Sequence, residues 1–153
     1  MRIETLAIHA GAEADAETGA VAVPLHLSTT FKHGPAGERV AGFEYQRESN
    51  PTQDRLEECL AALEGGERAL AYASGMAAMQ GLLECLPNGA HILIPHDCYT
   101  GLRTLCAEFL PLRGITAQAV DMGDLDAVRA ALQPDTKMIW AETPSNPLLA
   151  VAD

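Results

Sequence analysis

The sequence has little positive charge, few aromatic residues and no long apolar run. Its 153 residues include 10 lysines and arginines against 21 acidic residues, which gives a formal net charge of −11 at pH 7. This charge argues against a nucleic-acid-binding protein and against a basic membrane-binding surface. The N-terminus lacks the apolar stretch of a signal peptide, and no apolar run is long enough for a membrane span. We therefore expect a cytoplasmic protein without membrane or nucleic-acid partners.

Several common motifs are also missing. There is no Gly-x-Gly-x-x-Gly after a predicted strand, no Gly-x-x-x-x-Gly-Lys-Ser/Thr and no Gly-x-Ser-x-Gly. These absences argue against dinucleotide binding, nucleoside triphosphate binding and hydrolase chemistry.

The four cysteines form no Cys-x-x-Cys pair, which favours free thiols in a reducing compartment. Cys59, Cys85 and Cys106 fall in apolar helical patterns, where we expect them to be small buried residues. The fourth, Cys98, lies near His91, His96 and Asp97. This group matches no zinc spacing, and His91 should lie at the opposite end of a strand from His96, so we predict no metal site.

Residues 1–50 are interrupted by glycine and proline every few positions, apart from a possible short helix near 4–9. Such a segment cannot bury much surface by itself, so we predict that residues 1–50 form an arm that lies on another surface, either the main domain of this chain or a neighbouring subunit.

Asn50 can cap a helix that begins at Pro51 and ends at Gly65-Gly66. Helices and strands then alternate, with strands expected at 68–73, 91–94, 115–120 and 138–141 and helices at 75–86, around 102–109 and around 125–132. The apolar run 91–94 is typical of a buried parallel strand. This alternation predicts an α/β fold with a mostly parallel sheet and helices on both faces, in a domain over 51–153.

Three loops should converge beyond the carboxyl ends of these strands, where such sheets bind ligands. They are 74–76, 96–101 and 142–146. Ser74 can cap a helix whose free N–H groups suit a phosphate, although capped turns of this kind are common in α/β proteins. Tyr99 could stack on a planar ring or be an ordinary surface tyrosine. Asn146 could bind a phenolate or carboxylate, or belong to a tight proline turn.

Tyr45 and Arg47 form another candidate pair, because side chains two residues apart in an extended segment point to the same side. Both can donate hydrogen bonds to a phosphate. The alternative is a surface arm in which Arg47 pairs with Glu44 or Glu48.

Five segments, in this order and spacing, resemble the Cys/Met-metabolism (transsulfuration) family of pyridoxal-phosphate enzymes, with the cystathionine γ-synthase or γ-lyase type as the nearest likeness. They are Thr5–Gly11, Pro24–Phe31, Tyr45–Thr52, Ala73–Ala78 and Glu142–Pro147. The resemblance implies the large domain of a fold-type I enzyme, pyridoxal 5'-phosphate as cofactor, and an amino-acid substrate. The implied reaction is elimination or replacement at the γ or β carbon, in a homo-oligomer that is a dimer of dimers.

The resemblance also implies roles for the candidate residues. Ser74, Gly75 and Met76 would hold the cofactor phosphate, the last two through backbone N–H groups. Tyr99 would stack on the pyridine ring near the substrate amine. Asn146 would lie near the phenolic oxygen of the cofactor and the substrate carboxylate.

Tyr45 and Arg47, by the same resemblance, would reach the phosphate of the neighbouring subunit's cofactor. This role would explain why the arm is long.

The chain departs from the family pattern in two ways. Thr100 stands where the family usually has a glycine, and it would strain the turn if that position needs a positive φ. The only lysines are Lys32, in the arm, and Lys137, which should begin a strand at the end away from the proposed site. Neither fits the position of the family's Schiff-base lysine. Asp153 falls at the family's valine-aspartate step and is not the partner of the pyridine nitrogen. We therefore expect an N-terminal portion of a longer enzyme, inactive by itself.

Two alternatives stay open from the sequence alone. The chain could be a noncatalytic fragment or pseudoenzyme that keeps only the oligomer-forming arm. It could also be an unrelated α/β domain that binds a phosphorylated metabolite. The substrate, and the choice between β and γ chemistry, are not determined by these residues.

Overall fold

The structure is a computed structural model that describes residues 2–152; Asp153 lies outside the described residues. The chain divides after Ala71 into two compact units. The first contains two helices, and the second contains the sheet with the remaining helices. The predicted boundary between an arm and a main domain at residue 50 stays a prediction.

The first unit contains helix α1 (Ile3–His9) and helix α2 (Pro51–Glu64), which contact each other. Asn50 caps α2, since its side chain accepts a hydrogen bond from the Thr52 N–H at 2.8 Å, and Pro51 occupies the first helical position. Gly65 ends the helix with a φ of 64°, a left-handed conformation that glycine adopts without strain. Both helix predictions for this unit are confirmed.

The part of the chain between α1 and α2 has no regular secondary structure. Two isolated antiparallel bridges, Thr30 with Tyr45 and His33 with Arg39, are its only strand-like pairings. Apolar side chains in this part are mostly exposed; Leu27, for example, is 89% exposed. The low periodicity of the sequence here predicted this irregular backbone.

The second unit begins with helix α3 (Gly75–Glu84) and continues into strand β1 (His91–Pro95). Helix α4 (Thr100–Thr104), a π-helix (Leu105–Phe109) and a 3-10 helix (Leu110–Arg113) lead to strand β2 (Thr116–Val120). Helix α5 (Leu125–Ala131) then leads to strand β3 (Thr136–Ile139). This order of elements agrees with the predicted alternation from residue 75 onwards.

The sheet has three parallel strands in the order β2-β1-β3. Because β1 is central, all five of its residues are buried, as its apolar sequence predicted. Ile92 and Ile94 face a core that α3, α4 and the helical turns after it supply, whereas Leu93 faces a second core with residues of β2 and α5. This alternation places helices on both faces of the sheet, as the sequence predicted.

Two predictions for local structure were wrong. The apolar stretch 68–73 is not a strand, because no strand of the described chain pairs with it; its Ala71 N–H donates instead to Glu57 Oε1 at 2.8 Å. The single helix predicted around 102–109 is divided between α4 and the π-helix, and the 3-10 helix follows directly. Pro111 has no N–H to donate to the Ala107 carbonyl, so a regular α-helix cannot run through it.

The cysteines are all free thiols. Of the three predicted to be buried, Cys106 is buried, Cys59 is half-buried, and Cys85, which ends α3, is exposed. Cys98, in the loop after β1, is buried. Burial raises the pKa of the Cys106 thiol to about 11, so this thiol stays protonated at neutral pH.

No helix within residues 2–152 combines the length and the apolar character that a membrane crossing requires.

The core beneath the sheet gives a stability prediction for Leu102, which is fully buried in the same cluster that Trp140 packs against. Leu102→Ala should lower the free energy of unfolding of the second unit by about 2–5 kcal/mol, because it leaves a cavity. Urea unfolding followed by Trp140 fluorescence measures this loss. Leu112→Ala is the control; this leucine is 82% exposed and its loss should cost less than about 0.5 kcal/mol. Equal effects of the two substitutions would contradict the assigned core.

Candidate active site

Three loops of the second unit contact one another at the carboxyl ends of β1 and β3. The Tyr99 N–H, after β1, donates to Glu142 Oε2, after β3, at 3.0 Å. The Ser145 hydroxyl donates to Asp97 Oδ2 at 2.5 Å. The start of α3 also joins this group, because a Cβ built on Gly101 would overlap the Met76 sulfur. The predicted convergence of the three loops is therefore confirmed.

The N-terminus of α3 offers hydrogen-bond donors to a ligand. Ser74 is the cap residue, and its hydroxyl oxygen accepts from the Ala77 N–H at 3.1 Å. Within residues 2–152, the N–H groups of Gly75 and Met76 have no hydrogen-bond acceptor. A Cβ built on Gly75 would meet nothing within 4 Å, so the approach to these donors is open. Free N–H groups at the positive end of a helix dipole suit an anion such as a phosphate.

Tyr99 lies directly before α4 and is 41% exposed. Its N–H is fixed by Glu142, whereas its hydroxyl has no hydrogen-bond partner among the described residues. The ring is therefore partly accessible, and its hydroxyl is available to a ligand. Its role as a cofactor-stacking residue stays a prediction.

The expected strain at Thr100 is not found. Thr100 is the first residue of α4, and the positive-φ non-glycine residue in the described chain is Leu149 instead. The glycine that matters is the next one, Gly101, because a Cβ there would overlap both the Tyr99 ring and the Met76 sulfur. The absence of a side chain at Gly101 is what lets α3 approach the Tyr99 loop.

The loop after β3 contains Asn146, which follows the buried and hydrogen-bonded Ser145. Ser145 is 3% exposed and Asn146 is exposed, with a cis peptide bond on either side of the pair, at Thr143-Pro144 and Asn146-Pro147. Ser145 also pairs with Ala150 through two hydrogen bonds, from its N–H at 2.8 Å and to its hydroxyl oxygen at 2.9 Å. Within the described chain the Asn146 amide makes no hydrogen bond, so it is available to a ligand.

Tyr45 and Arg47 belong to the first unit, where they lie side by side. Residues 46–48 form a turn rather than the predicted extended segment, since the Glu48 N–H donates to the Tyr45 carbonyl at 2.9 Å. The Arg47 guanidinium nevertheless lies 4.5 Å from the centre of the Tyr45 ring. This contact holds the charged group beside the phenol.

The acidic partners proposed for Arg47 are bound by another residue. Arg39 forms ion pairs with both Glu44 and Glu48, with its Nη2 2.7 Å from Glu48 Oε2. Arg47 has no ion pair among residues 2–152, so its charge is available to an anion. The alternative in which Arg47 pairs with Glu44 or Glu48 is wrong.

Three functional positions were missed by sequence reasoning. Asp97 and Glu142 fix the loops that contain Asn146 and Tyr99, and Gly101 permits the contact with α3. The position of Asp97 and Glu142 in the sequence could have indicated them, because each follows the end of a parallel strand within three residues.

The thiol between these groups is not a nucleophile. Burial and, secondly, the negative charge of Glu142 raise the pKa of Cys98 above its usual value. Because the thiolate is the reactive form, Cys98 acts here as a packed side chain.

The lysine of the second unit does not lie at this edge of the sheet. Lys137 is the second residue of β3, near the end of the strand opposite to the loop that contains Glu142. Lys32 is in the first unit. The predicted position of Lys137, at the far end of a strand, is confirmed.

Comparison with known proteins gives one consistent result. Residues 4–153 match the family model described as Cys/Met metabolism PLP-dependent enzyme. A cystathionine gamma-synthase of Mycobacterium tuberculosis is 47% identical over 150 residues, which cover 97% of this chain and 39% of that protein. A cystathionine beta-lyase of Lactococcus lactis is 42% identical over 151 residues, which cover 99% of this chain and 40% of that protein.

The structural comparison agrees. The crystal structure of metB from Corynebacterium glutamicum superimposes with a TM-score of 0.94 at 39% identity, over 100% of this chain and 40% of that one. The chain thus spans about two fifths of the length of the relatives that it matches.

The contact between Gly101 and Met76 gives a testable prediction. Gly101→Ala should lower the free energy of unfolding of the second unit by about 1–3 kcal/mol, because the added methyl overlaps the Met76 sulfur and the Tyr99 ring. Urea unfolding followed by Trp140 fluorescence measures the loss. In a protein that already carries Met76→Ala, the same Gly101→Ala substitution should lower the free energy of unfolding by less, because the overlapping sulfur is absent.

Gly75→Ala is the matched control, since a Cβ there meets no neighbour. It should cause no loss of stability. A Gly101→Ala protein as stable as the unaltered chain would show that the two loops are not in close contact.

Proposed function

Because the chain belongs to the family of Cys/Met-metabolism enzymes that depend on pyridoxal phosphate, we propose that its carboxyl-edge loops form part of the cofactor site of a transsulfuration enzyme. The proposed reaction is elimination or replacement at the γ or β carbon of an amino acid with a sulfur or oxygen substituent. The observation that supports it most is the convergence of three loops around free helical N–H groups and an exposed tyrosine ring.

The residues present fit the cofactor that the family implies. The free N–H groups of Gly75 and Met76 suit its phosphate, and no side chain blocks their approach. The exposed ring of Tyr99 suits its flat pyridine ring. When bound, pyridoxal phosphate supplies an electron sink for bond cleavage in amino acids.

The side chains of this protein would bind the cofactor and orient it and the substrate. We infer that Ser74 stabilises the phosphate-binding turn through its cap hydrogen bond. Asn146 would donate and accept hydrogen bonds at the cofactor oxygen and the substrate carboxylate, since its amide is exposed and unpaired within the described residues. Tyr99 would hold the ring and lie next to the substrate amine.

Tyr45 and Arg47 would complete the phosphate site of a second subunit. The support for this part is that Arg47 has no ion pair among residues 2–152 and has the Tyr45 phenol beside it, so two donors are available together. This role requires a homo-oligomer, in which each cofactor site takes residues from two chains. We propose a dimer of dimers for the full-length enzyme.

The activity of the 153-residue chain by itself is a separate question. Lys137 lies near the end of β3 that is opposite to the proposed site, and Lys32 lies in the first unit. The second unit therefore supplies no lysine to this site. We propose that this chain binds the cofactor without turnover and that its location is cytoplasmic. The matched relatives include a synthase and a β-lyase, so β and γ chemistry stay open.

A noncatalytic chain that keeps only oligomer contacts is the remaining alternative. The match to the family model over residues 4–153 excludes the unrelated phosphometabolite-binding domain.

Cofactor binding can be measured through Trp140, the single tryptophan of the sequence, which follows β3 two residues before Glu142. Pyridoxal phosphate should quench Trp140 emission saturably, because its absorption overlaps tryptophan fluorescence. Inorganic phosphate should compete, and pyridoxal should bind about tenfold more weakly because it lacks the charged phosphate. Tyr99→Ala should raise the Kd of pyridoxal phosphate about tenfold through loss of stacking.

Phe109→Ala is the matched control, because Phe109 is also a half-exposed aromatic residue of the second unit and lies outside the proposed site. It should leave the Kd unchanged. Absence of saturable quenching in the unaltered chain would rule out the proposed site and favour the noncatalytic alternative.

Mixing two variants tests whether Arg47 acts on a second subunit. Arg47→Ala and Tyr99→Ala should each lower cofactor binding when alone. In an equimolar mixture about half of the dimers combine both chains, and one of the two sites in each such dimer is then unaltered. About a quarter of all sites should therefore regain the affinity of the original protein, measured by Trp140 quenching.

Recovery requires that Arg47 and Tyr99 of one site come from different chains. If both residues came from one chain, the mixture would show no recovery, and the proposed role of Arg47 would be wrong.

A further inference from the structure

Two carboxylates connect the loop after β1 with the loop after β3, one from each loop. Asp97, in the loop after β1, accepts hydrogen bonds from the loop after β3, whereas Glu142, in the loop after β3, accepts one from the loop after β1. We call this pair, Asp97 and Glu142, the carboxylate clamp. Neither residue had a role in the proposed function above.

Asp97 holds the loop of Asn146 at two points. Its Oδ2 accepts from the Ser145 hydroxyl at 2.5 Å and from the Leu148 N–H at 3.1 Å. Ser145 precedes Asn146 and Leu148 follows it by two residues, so one oxygen atom binds the Ser145 side chain before this asparagine and the Leu148 backbone after it. Asp97 and Ser145 are 7% and 3% exposed, and a charge-assisted hydrogen bond removed from water in this way is strong.

Glu142 holds the loop of Tyr99 through its backbone. The Tyr99 N–H donates to Glu142 Oε2 at 3.0 Å, directly before the first turn of α4. The bond fixes the main chain of Tyr99 and leaves its ring free. In the described chain neither the Tyr99 hydroxyl nor the Asn146 amide has a hydrogen-bond partner, so both ligand-facing groups are held only by their backbones.

We propose that Asp97 and Glu142 are positioning residues that fix Asn146 and Tyr99 relative to each other, so that Tyr99 can stack on a flat ligand ring while Asn146 forms hydrogen bonds with an oxygen of the same ligand. This inference rests on the proposed function, because it takes pyridoxal phosphate as that ligand. The phosphate cradle at α3 does not depend on the clamp, since its donors are the N–H groups of Gly75 and Met76.

This difference separates a positioning role from a purely structural one. Loss of the clamp should weaken contacts to the ring of pyridoxal phosphate and leave binding of inorganic phosphate unchanged. A general loss of structure would weaken both ligands. The informative quantity is therefore the ratio of the two dissociation constants.

The experiment compares Asp97→Asn and Glu142→Gln in the full 153-residue chain. The Kd of pyridoxal phosphate comes from Trp140 quenching and that of inorganic phosphate from calorimetry. Each amide is the size of the carboxylate but loses its charge, so each variant should raise the Kd of pyridoxal phosphate about tenfold and leave that of inorganic phosphate within about twofold. Ser145→Ala should raise the Kd of pyridoxal phosphate as Asp97→Asn does. Because the two residues share one hydrogen bond, the double variant Asp97→Asn/Ser145→Ala should raise it little further.

Asp121→Asn is the matched control, because Asp121 also follows a strand at this edge but accepts only the nearby Gly123 N–H, at 2.9 Å. It should change neither constant. Unchanged affinity for pyridoxal phosphate in both clamp variants, or an equal loss for both ligands, would overturn the clamp while the proposed function stands. If the unaltered chain does not bind pyridoxal phosphate, the proposed function and the clamp both fail. Glu142→Gln keeps the test valid if Asp97→Asn does not fold.

Discussion

The second unit depends on β1, which is hydrogen-bonded along both edges and covered on both faces. A strand in this position has no exposed backbone, so its neighbours must supply every hydrogen-bond partner. The parallel pairing with β2 and β3 then brings the loops after β1 and β3 to the same edge of the sheet. The position of the candidate site follows from this constraint before any side chain of the site is considered.

Side chains in the loops convert this shared edge into a defined site. The Asp97 carboxylate is buried, and removing it from water has a free-energy cost that only good hydrogen bonds offset. It obtains them from a hydroxyl and an N–H group of the loop after β3. The same contacts that satisfy the buried charge therefore fix the shape of the neighbouring loop.

The sequence was sufficient where structure depends on neighbours along the chain. The cap at Asn50, the apolar run of β1 and the capped start of α3 were all predicted, because each is local. It was insufficient for contacts between distant residues, such as the bond from Ser145 to Asp97. The segment 68–73 failed for the same reason, since an apolar stretch becomes a strand only where a partner strand is available.

In the second unit the candidate binding groups lie at one edge of the sheet, whereas the lysine lies nearer the opposite edge. Its only lysine, Lys137, is two residues from the end of β3, about 7 Å along the strand at about 3.3 Å per residue. The α3 N-terminus, Tyr99 and Asn146 are instead at or beyond the carboxyl edge, where they can act on a phosphate and a flat ring. The proposed cofactor site would therefore take its binding groups from these loops, and proton transfer to or from a lysine would need a group from outside this unit.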